Sequence, residues 1–470
     1  MSAETVTSSP TPSPSTRRGV ELGLLVFALG LVSAAYTAVG LARSGAVPAD
    51  LASSAAALAV LFGTAHVVVR LVAPYADPVL LPVVALLNGL GLVLIHRLDV
   101  AAAERARALG RAVPRTDASL QLVWTGVGVA LFVLVLVTVR DHRRLQRYTY
   151  TAMLAGLGLL ALPALLPASI SEVNGARIWI RFAGFSIQPG EFAKLALMVF
   201  FAGYLVAKRD VLALASRRVL GLDLPRGRDL GPVVVAWLAS LGVLILERDL
   251  GSSLLFFGIF VVMLYIATER WSWLLIGVLL FVSGAAVAAR LFPHVEARVA
   301  IWLDPFADAS GNGYQLAQAL IGLATGGMLG TGLGQGRPDM VPFAKTDFIV
   351  ATVGEELGLA GLMALLLLYV LVVERGLRTA LAVRDPFGKL LATGLAVALT
   401  LQVFVVAGGV TRLIPLTGLT MPFLSYGGSS LVANWALVAL LLRISDAARR
   451  PPPLARPAPD EAATQVVGIR

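Results

Sequence analysis

No cysteine occurs in the 470 residues, which excludes disulfides, thiol chemistry and cysteine-bound metal. Histidine is nearly as scarce. His66, His96, His142 and His294 are scattered without ligand spacing, so no histidine cage for a metal is expected. Charge is thin as well: 14% of the residues are charged, against about 25% in a typical soluble protein. An ordinary soluble enzyme is therefore excluded. The glycines at 326, 327, 330, 332, 334 and 336 form neither a GxGxxG nor a P-loop, so no nucleotide cofactor is expected.

Apolar residues supply what charge does not. They make up 57% of the chain and fall into blocks of about 20, the length that crosses a bilayer as a helix. The blocks are continuous and do not alternate, which argues against a β-barrel. The expected fold is an all-α polytopic membrane protein with twelve spans near 19–41, 51–72, 77–95, 119–139, 147–167, 191–207, 230–246, 251–268, 272–290, 349–373, 388–411 and 430–446. The flanks 1–18 and 447–470, rich in Ser, Thr and Pro or in Pro and Ala, read as disordered tails.

The pI of about 10.3 does not imply nucleic acid, because the basic residues sit in short loops between apolar blocks, where they set topology. The loops at 140–147, 208–229 and 374–389 carry most of them and share the side of the termini. That side is expected to be cytoplasmic. The segment 96–118 opposes the rule, with Arg97, Arg105, Arg107, Arg111 and Arg115 on the other side.

The polar, motif-like segments then fall on the outer face, in 168–190, 291–348 and 412–429. The longest, 291–348, includes YQLAQALIGLA, which has helical periodicity and is expected to lie flat or dip into the membrane. Glu191 and Lys194 are three apart after Pro189 and can pair on one helix face; a helix cap with a snorkelling lysine explains them equally well. Trp179 suits an interfacial anchor. LERDLGSS (246–253) reads as a turn without chemistry. In KTDFIVATVGEELG, Asp347 suits an N-cap or a general base, while Glu355 and Glu356 lie too deep for caps and are expected to face a polar cavity.

Six stretches in order, NGARIWI, IQPGEFAK, ERDLGSS, WLDP…GYQ, KTDFIVATVGEELG and PLTGLTMPFLSYGGSS, resemble the SEDS family of peptidoglycan glycosyltransferases, the RodA, FtsW and SpoVE proteins, over residues 73–446. The resemblance implies a ten-helix core preceded here by an accessory pair at 19–72, an arrangement similar to the actinobacterial RodA branch. It implies polymerisation of lipid II into undecaprenyl-linked glycan on the outer face of the bacterial cytoplasmic membrane, beside a class B penicillin-binding protein and other elongation-complex membrane proteins. The family's catalytic aspartate falls on Asp347, its acidic residue eight before on Asp339, its Glu–Lys pair on Glu191 and Lys194, and its tryptophan on Trp179. Arg177 is displaced one residue from the family arginine, Gly190 replaces a serine, and Thr417 stands where some FtsW proteins have lysine. Lys345, Lys194, Arg177 and Arg298 are candidate diphosphate partners. Thr346, Ser425 and Tyr426 are further candidates for substrate binding. A divalent cation, Mg2+ or Mn2+, could share the diphosphate charge. A lipid II flippase is the main rival, because intramembrane charges also line transport pathways. The accessory pair is expected to offer a docking or lipid-facing surface.

Overall fold

The structure, a computed structural model, describes residues 16–451 except 174, 183–184, 215, 220–221, 226–233, 236–237, 240–241, 244–246 and 248. Eleven helices among the described residues are long and apolar enough to cross a membrane. The expected span at 230–246 lies largely outside the described residues, as do most of both tails. The helices run α1 Arg18–Ser44, α2 Leu51–Val72, α3 Leu80–Ala108, α4 Asp117–Thr138, α5 Thr149–Leu165, a single turn α6 Ala168–Ser171, and α7 Pro189–Leu214. After the partly described segment come α8 Leu250–Thr268, α9 Trp271–Leu291, α10 Pro293–Leu303, α11 Tyr314–Gly326, α12 Ile349–Ala382, α13 Pro386–Val410 and α14 Gly428–Arg449.

Burial grades these helices. Helices α14 and α3 are 89% and 83% buried along their apolar stretches, whereas α1 and α2 reach only 28%. The hydrophobic core therefore centres on α3, α13 and α14, and the outer helices keep apolar side chains such as Val26 and Leu71 facing outward. Such a pattern suits helices solvated by lipid, where an apolar surface carries no penalty.

The all-α expectation needs one amendment. Among the described residues three antiparallel hairpins occur: β1 Glu172–Val173 with β2 Ala176–Arg177, β3 Ile180–Phe182 with β4 Phe185–Ile187, and β5 Ser216–Val219 with β6 Leu222–Pro225. The first two fill the expected loop at 168–190, where alternating residues replace the helical apolar run.

One span boundary moves far. The third helix was expected to end at 95 but continues to Ala108. Its 29 residues rise about 43 Å at 1.5 Å each, longer than the roughly 30 Å hydrocarbon core. Arg97 is thus a helix residue, not a loop charge. It is fully buried in an ion pair with Glu356, Nε to Oε1, 2.7 Å.

The segment 291–348 is built, not looped. Helix α11 packs against α12 at close range: a β-carbon on Gly326 would lie 2.0 Å from the carbonyl oxygen of Gly354. At Gly358, with φ 68° and ψ −170°, α12 breaks. The break frees the carbonyls of Glu355 and Glu356 and the amides of Leu359 and Ala360, which would pair with each other in a continuous helix. The turn after α11 satisfies all four. Thr331 and Gly332 amides donate to the carbonyls of Glu355 (3.0 Å) and Glu356 (2.9 Å), and Leu359 and Ala360 donate to Gly327 (2.9 Å) and Met328 (3.0 Å). Gly358 lies about 13 Å along α12 from its start, so the 327–332 turn is re-entrant. Irregular backbone at such depth persists only when its polar groups are paired.

Glu355 and Glu356 finish that pairing with their side chains. Glu355 Oε1 accepts from the Arg337 amide (2.6 Å), and Glu356 Oε2 from the Gly334 amide (3.0 Å). The expectation that they face a polar cavity is corrected: their carboxylates face the backbone amides of the glycine-rich chain.

Candidate active site

Asp347 lies two residues before α12. The N-cap position of that helix is Phe348, with no side-chain cap, so the capping explanation for Asp347 does not hold. Its segment is pinned from the 411–427 loop. The Tyr426 amide donates to the Lys345 carbonyl (2.7 Å), and Ser425 Oγ donates to the Thr346 carbonyl (2.5 Å). Ser425 Oγ also accepts from the Met421 amide (2.9 Å), and Gln121 donates to the Ser425 carbonyl (3.1 Å). Ser425 and Tyr426 thus act on the backbone beside Asp347.

The same loop brings a cation to the carboxylate. Arg298, on α10, donates through Nη1 to the carbonyls of Leu416 (3.2 Å) and Thr417 (3.1 Å). A β-carbon on Gly418 would lie 3.8 Å from Asp347 Oδ2 and 4.0 Å from Arg298 Nη2. Carboxylate and guanidinium therefore face one glycine. Burial pushes the Asp347 carboxyl up to about 6; Thr346 and Arg298 pull against that shift and Asp249 adds to it.

Asp249 is the residue that sequence reasoning missed. It caps α8, accepting from the amides of Gly251 (2.9 Å) and Ser252 (3.2 Å) and from Ser252 Oγ (2.6 Å). Burial raises its carboxyl pKa, against the pull of those donors and of Arg298. The ERDLGSS turn therefore does more than reverse the chain, because the charge of Arg298 acts on its aspartate as it does on Asp347. The signal was present: three charges breaking two apolar blocks exceed what a turn requires.

Glu191 and Lys194 flank this cluster. They pair at 2.8 Å, with 6% and 2% of their surfaces exposed. At 2% exposure Lys194 does not snorkel. It donates to Gln402 Oε1 (2.8 Å), and Gln402 donates to the Thr420 carbonyl (2.9 Å), so the pair is wired to the 411–427 loop. Gln402 went unnoticed in the sequence, although a lone amide in an apolar span usually has a polar duty.

Lys345 has its charge compensated twice. Its ammonium contacts Asp99 and Asp117, the latter at 2.7 Å. Burial works against the ammonium, and the two carboxylates outweigh it, so the Lys345 pKa stays above the ordinary lysine value. Asp339 sits half-buried on a 3-10 turn, Pro338–Met340, eight residues before Asp347. Arg177 pairs with Glu172 (3.2 Å), and the Trp179 amide donates to the Ser171 carbonyl (3.3 Å). Both stay on their hairpins, whose end is tied to α14 by the Gln188 amide and Ser429 Oγ (2.8 Å).

Comparison with known proteins identifies the family. The chain is 56% identical over 441 residues to the peptidoglycan glycosyltransferase RodA of Mycobacterium tuberculosis, covering 94% of this chain and 93% of that one. A solved structure described as structural coordination of polymerization and crosslinking by a peptidoglycan synthase complex matches with a TM-score of 0.61 at 30% identity. It covers 79% of this chain and 97% of its own. The rod shape determining protein RodA of Thermus thermophilus matches with a TM-score of 0.53 at 28% identity, over 79% of this chain and 96% of its own. The family model FtsW/RodA/SpoVE, described as cell cycle protein, matches residues 78–450, and with it the chain belongs to the FtsW/RodA/SpoVE family of multi-pass membrane proteins.

Proposed function

We propose that this chain is a peptidoglycan glycosyltransferase that polymerises lipid II during cell elongation, with Asp347 as the general base. The observation that carries the base assignment is an uncapped, half-buried carboxylate that faces Arg298 across Gly418. Lipid II brings its own leaving group, undecaprenyl diphosphate on the anomeric carbon. Asp347 takes the proton of the acceptor 4-hydroxyl, that oxygen bonds to the donor anomeric carbon, and the bond to the diphosphate breaks. A carboxylate whose pKa lies near the working pH suits that transfer. No enzyme nucleophile is needed.

Arg298 is the cation best placed for the developing diphosphate charge, because Nη2 faces the site while Nη1 is anchored on backbone carbonyls. Lys345 and Lys194 are both already engaged by carboxylates. A divalent cation would find Asp347 and Asp249 and would need substrate oxygens to complete its shell. Among the described residues no group of three or more His, Cys, Asp or Glu could hold one unaided. An apolar cavity of about 640 Å³, lined by residues including Leu157, Phe200 and Phe260, suits a polyprenyl tail. The similarity to RodA and to a synthase complex supports an elongation role with a class B penicillin-binding protein. The basic loops on the side of the termini support placing Asp347 on the outer face, with both termini cytoplasmic.

Polymerisation of labelled lipid II by the purified chain with its transpeptidase tests this. Asp347→Ala and Asp347→Asn should lower the rate by about 10²–10⁴-fold, the usual worth of a general base, while folding normally. Wild-type rates from both variants would refute the base assignment. No polymer from wild type, with lipid II crossing vesicle membranes, would favour transport.

A further inference from the structure

The FtsW/RodA/SpoVE model begins at residue 78, so α1 and α2 precede the shared core. Their packing is not that of a free lipid-facing appendage. Val32 of α1 fills the notch at Gly89 of α3, where a β-carbon would lie 2.4 Å from Val32 Cγ2. Two residues on, the notch at Gly91 takes the 423–424 backbone, with the Leu424 carbonyl oxygen at 2.5 Å from such a carbon. Helix α3 is thus pressed between the accessory helix and the loop that pins Lys345 and Thr346.

The far end of α3 repeats this arrangement with polar contacts. Toward the accessory pair, His96 stacks on Tyr36 at 4.3 Å, and the Tyr36 hydroxyl lies 3.1 Å from His96 Nδ1 while donating to Asp50 (2.7 Å). Arg43 of α1 pairs with Glu104 of α3. Toward the site, Arg97 binds Glu356 and the Gly336 carbonyl (2.7 Å), and Asp99 binds Lys345 and the Ala118 amide (2.8 Å). Helix α1 also touches the glycine-rich chain directly. A β-carbon on Gly334 would lie 2.9 Å from Ala42 Cβ and 3.5 Å from Arg43 Cγ, and Arg43 Nη1 reaches the Gly334 carbonyl at 3.5 Å.

We propose that the accessory helix pair is a positioning brace for the catalytic segment, acting through Tyr36 and Arg43 on the outer end of α3 and on Gly334. Residues 334–347 run from the braced glycine to Asp347, and α3 holds both sides of that run, at Gly336 and at Lys345. The glycine-rich stretch has few side chains to fix itself, so its geometry comes from what presses on it. Tyr36 and Arg43 touch no reacting atom; they act through α3 and the backbone.

This inference rests on Asp347 as the base. Its test uses the full-length chain with its transpeptidase partner and labelled lipid II. Tyr36→Phe combined with Arg43→Ala should lower kcat by about tenfold or more, as small misplacements of a catalytic group do. KM for lipid II and the thermal midpoint should stay at wild-type values, and Arg43→Lys should restore part of kcat. Val26→Ala, on the exposed side of the same helix, serves as control. A wild-type kcat in the double variant overturns the brace, as does a kcat loss that follows a lowered midpoint. Asp347→Ala is run alongside. If it stays active, the base assignment fails whatever the brace variants do; if it is inactive and the double variant is not, only the brace fails.

Discussion

Asp347 shows how one carboxylate acquires a task. A capping aspartate would be satisfied by helix amides and held ionised. Phe348 occupies the cap position instead, leaving the Asp347 carboxylate to burial, Thr346, Arg298 and Asp249. Burial wins and lifts the pKa from 3.8 to about 6. A base works only when ionised, so kcat/KM for polymerisation should fall about tenfold per pH unit below about pH 6. Stability moves the opposite way. A raised carboxyl pKa favours the folded protein below the unfolded value, and that advantage is lost as pH rises through 6. Asp347→Asn should therefore melt above wild type at pH 8 and lose its advantage near pH 5. A pH–rate profile flat between pH 5 and 8 would remove Asp347 as the titrating base. The motif KTDF was legible in the sequence. The charge of Asp249 was visible too, but its coupling to Arg298 was not, because it joins positions 49 residues apart.

At the scale of elements, the break in α12 and the re-entrant turn form one unit. Two broken helical rungs supply the groups that the 327–332 turn needs, and Glu355 and Glu356 supply the rest. Arg97, wholly buried beside Glu356, keeps this carboxylate's charge compensated. Removing one member of a buried pair costs about 3–5 kcal/mol because the other charge stays behind. Glu356→Gln should accordingly lower the thermal midpoint in detergent, and Arg97→Met should do the same. Together they should cost less than the sum of the two, since neither charge is then orphaned. Additive losses would mean that the two residues act independently. The helical period of 314–326 and the glycines after it were visible in the sequence. Their insertion beside Gly358 was not, because it depends on which backbone groups a distant helix leaves open.

For the whole molecule, orientation follows from where basic loops lie, and the absence of cysteine makes it easy to test. Phe182 is 81% exposed on the hairpin near the site face, and Arg378 lies at the opposite end of α12 with an exposed side chain. In intact cells a membrane-impermeant maleimide should label Phe182→Cys. Arg378→Cys should react only after permeabilisation. The reverse pattern would turn the molecule over and place the site in the cytoplasm. The basic segment 96–118 looked like an objection to this topology. It weakens once Arg97 proves to be a buried partner of Glu356, since a paired interior charge does not contribute to a loop's electrostatic bias.

The amino-acid sequence by itself determined the membrane class, eleven of the span positions to within a few residues at most ends, and the segments that carry chemistry. These follow from local properties: block length, hydropathy, and motifs that are contiguous in the chain. Tertiary structure alone decided which charges are available and which are already compensated. Lys345 looked free until Asp99 and Asp117 closed on it. Glu356 was expected to face a polar cavity until Arg97 and the Gly334 amide claimed it. The accessory helices looked peripheral until Val32 and Arg43 met α3 and Gly334. Each of these outcomes depends on partners distant in sequence, and burial makes the pairing compulsory, because an unpaired charge inside a membrane protein is costly.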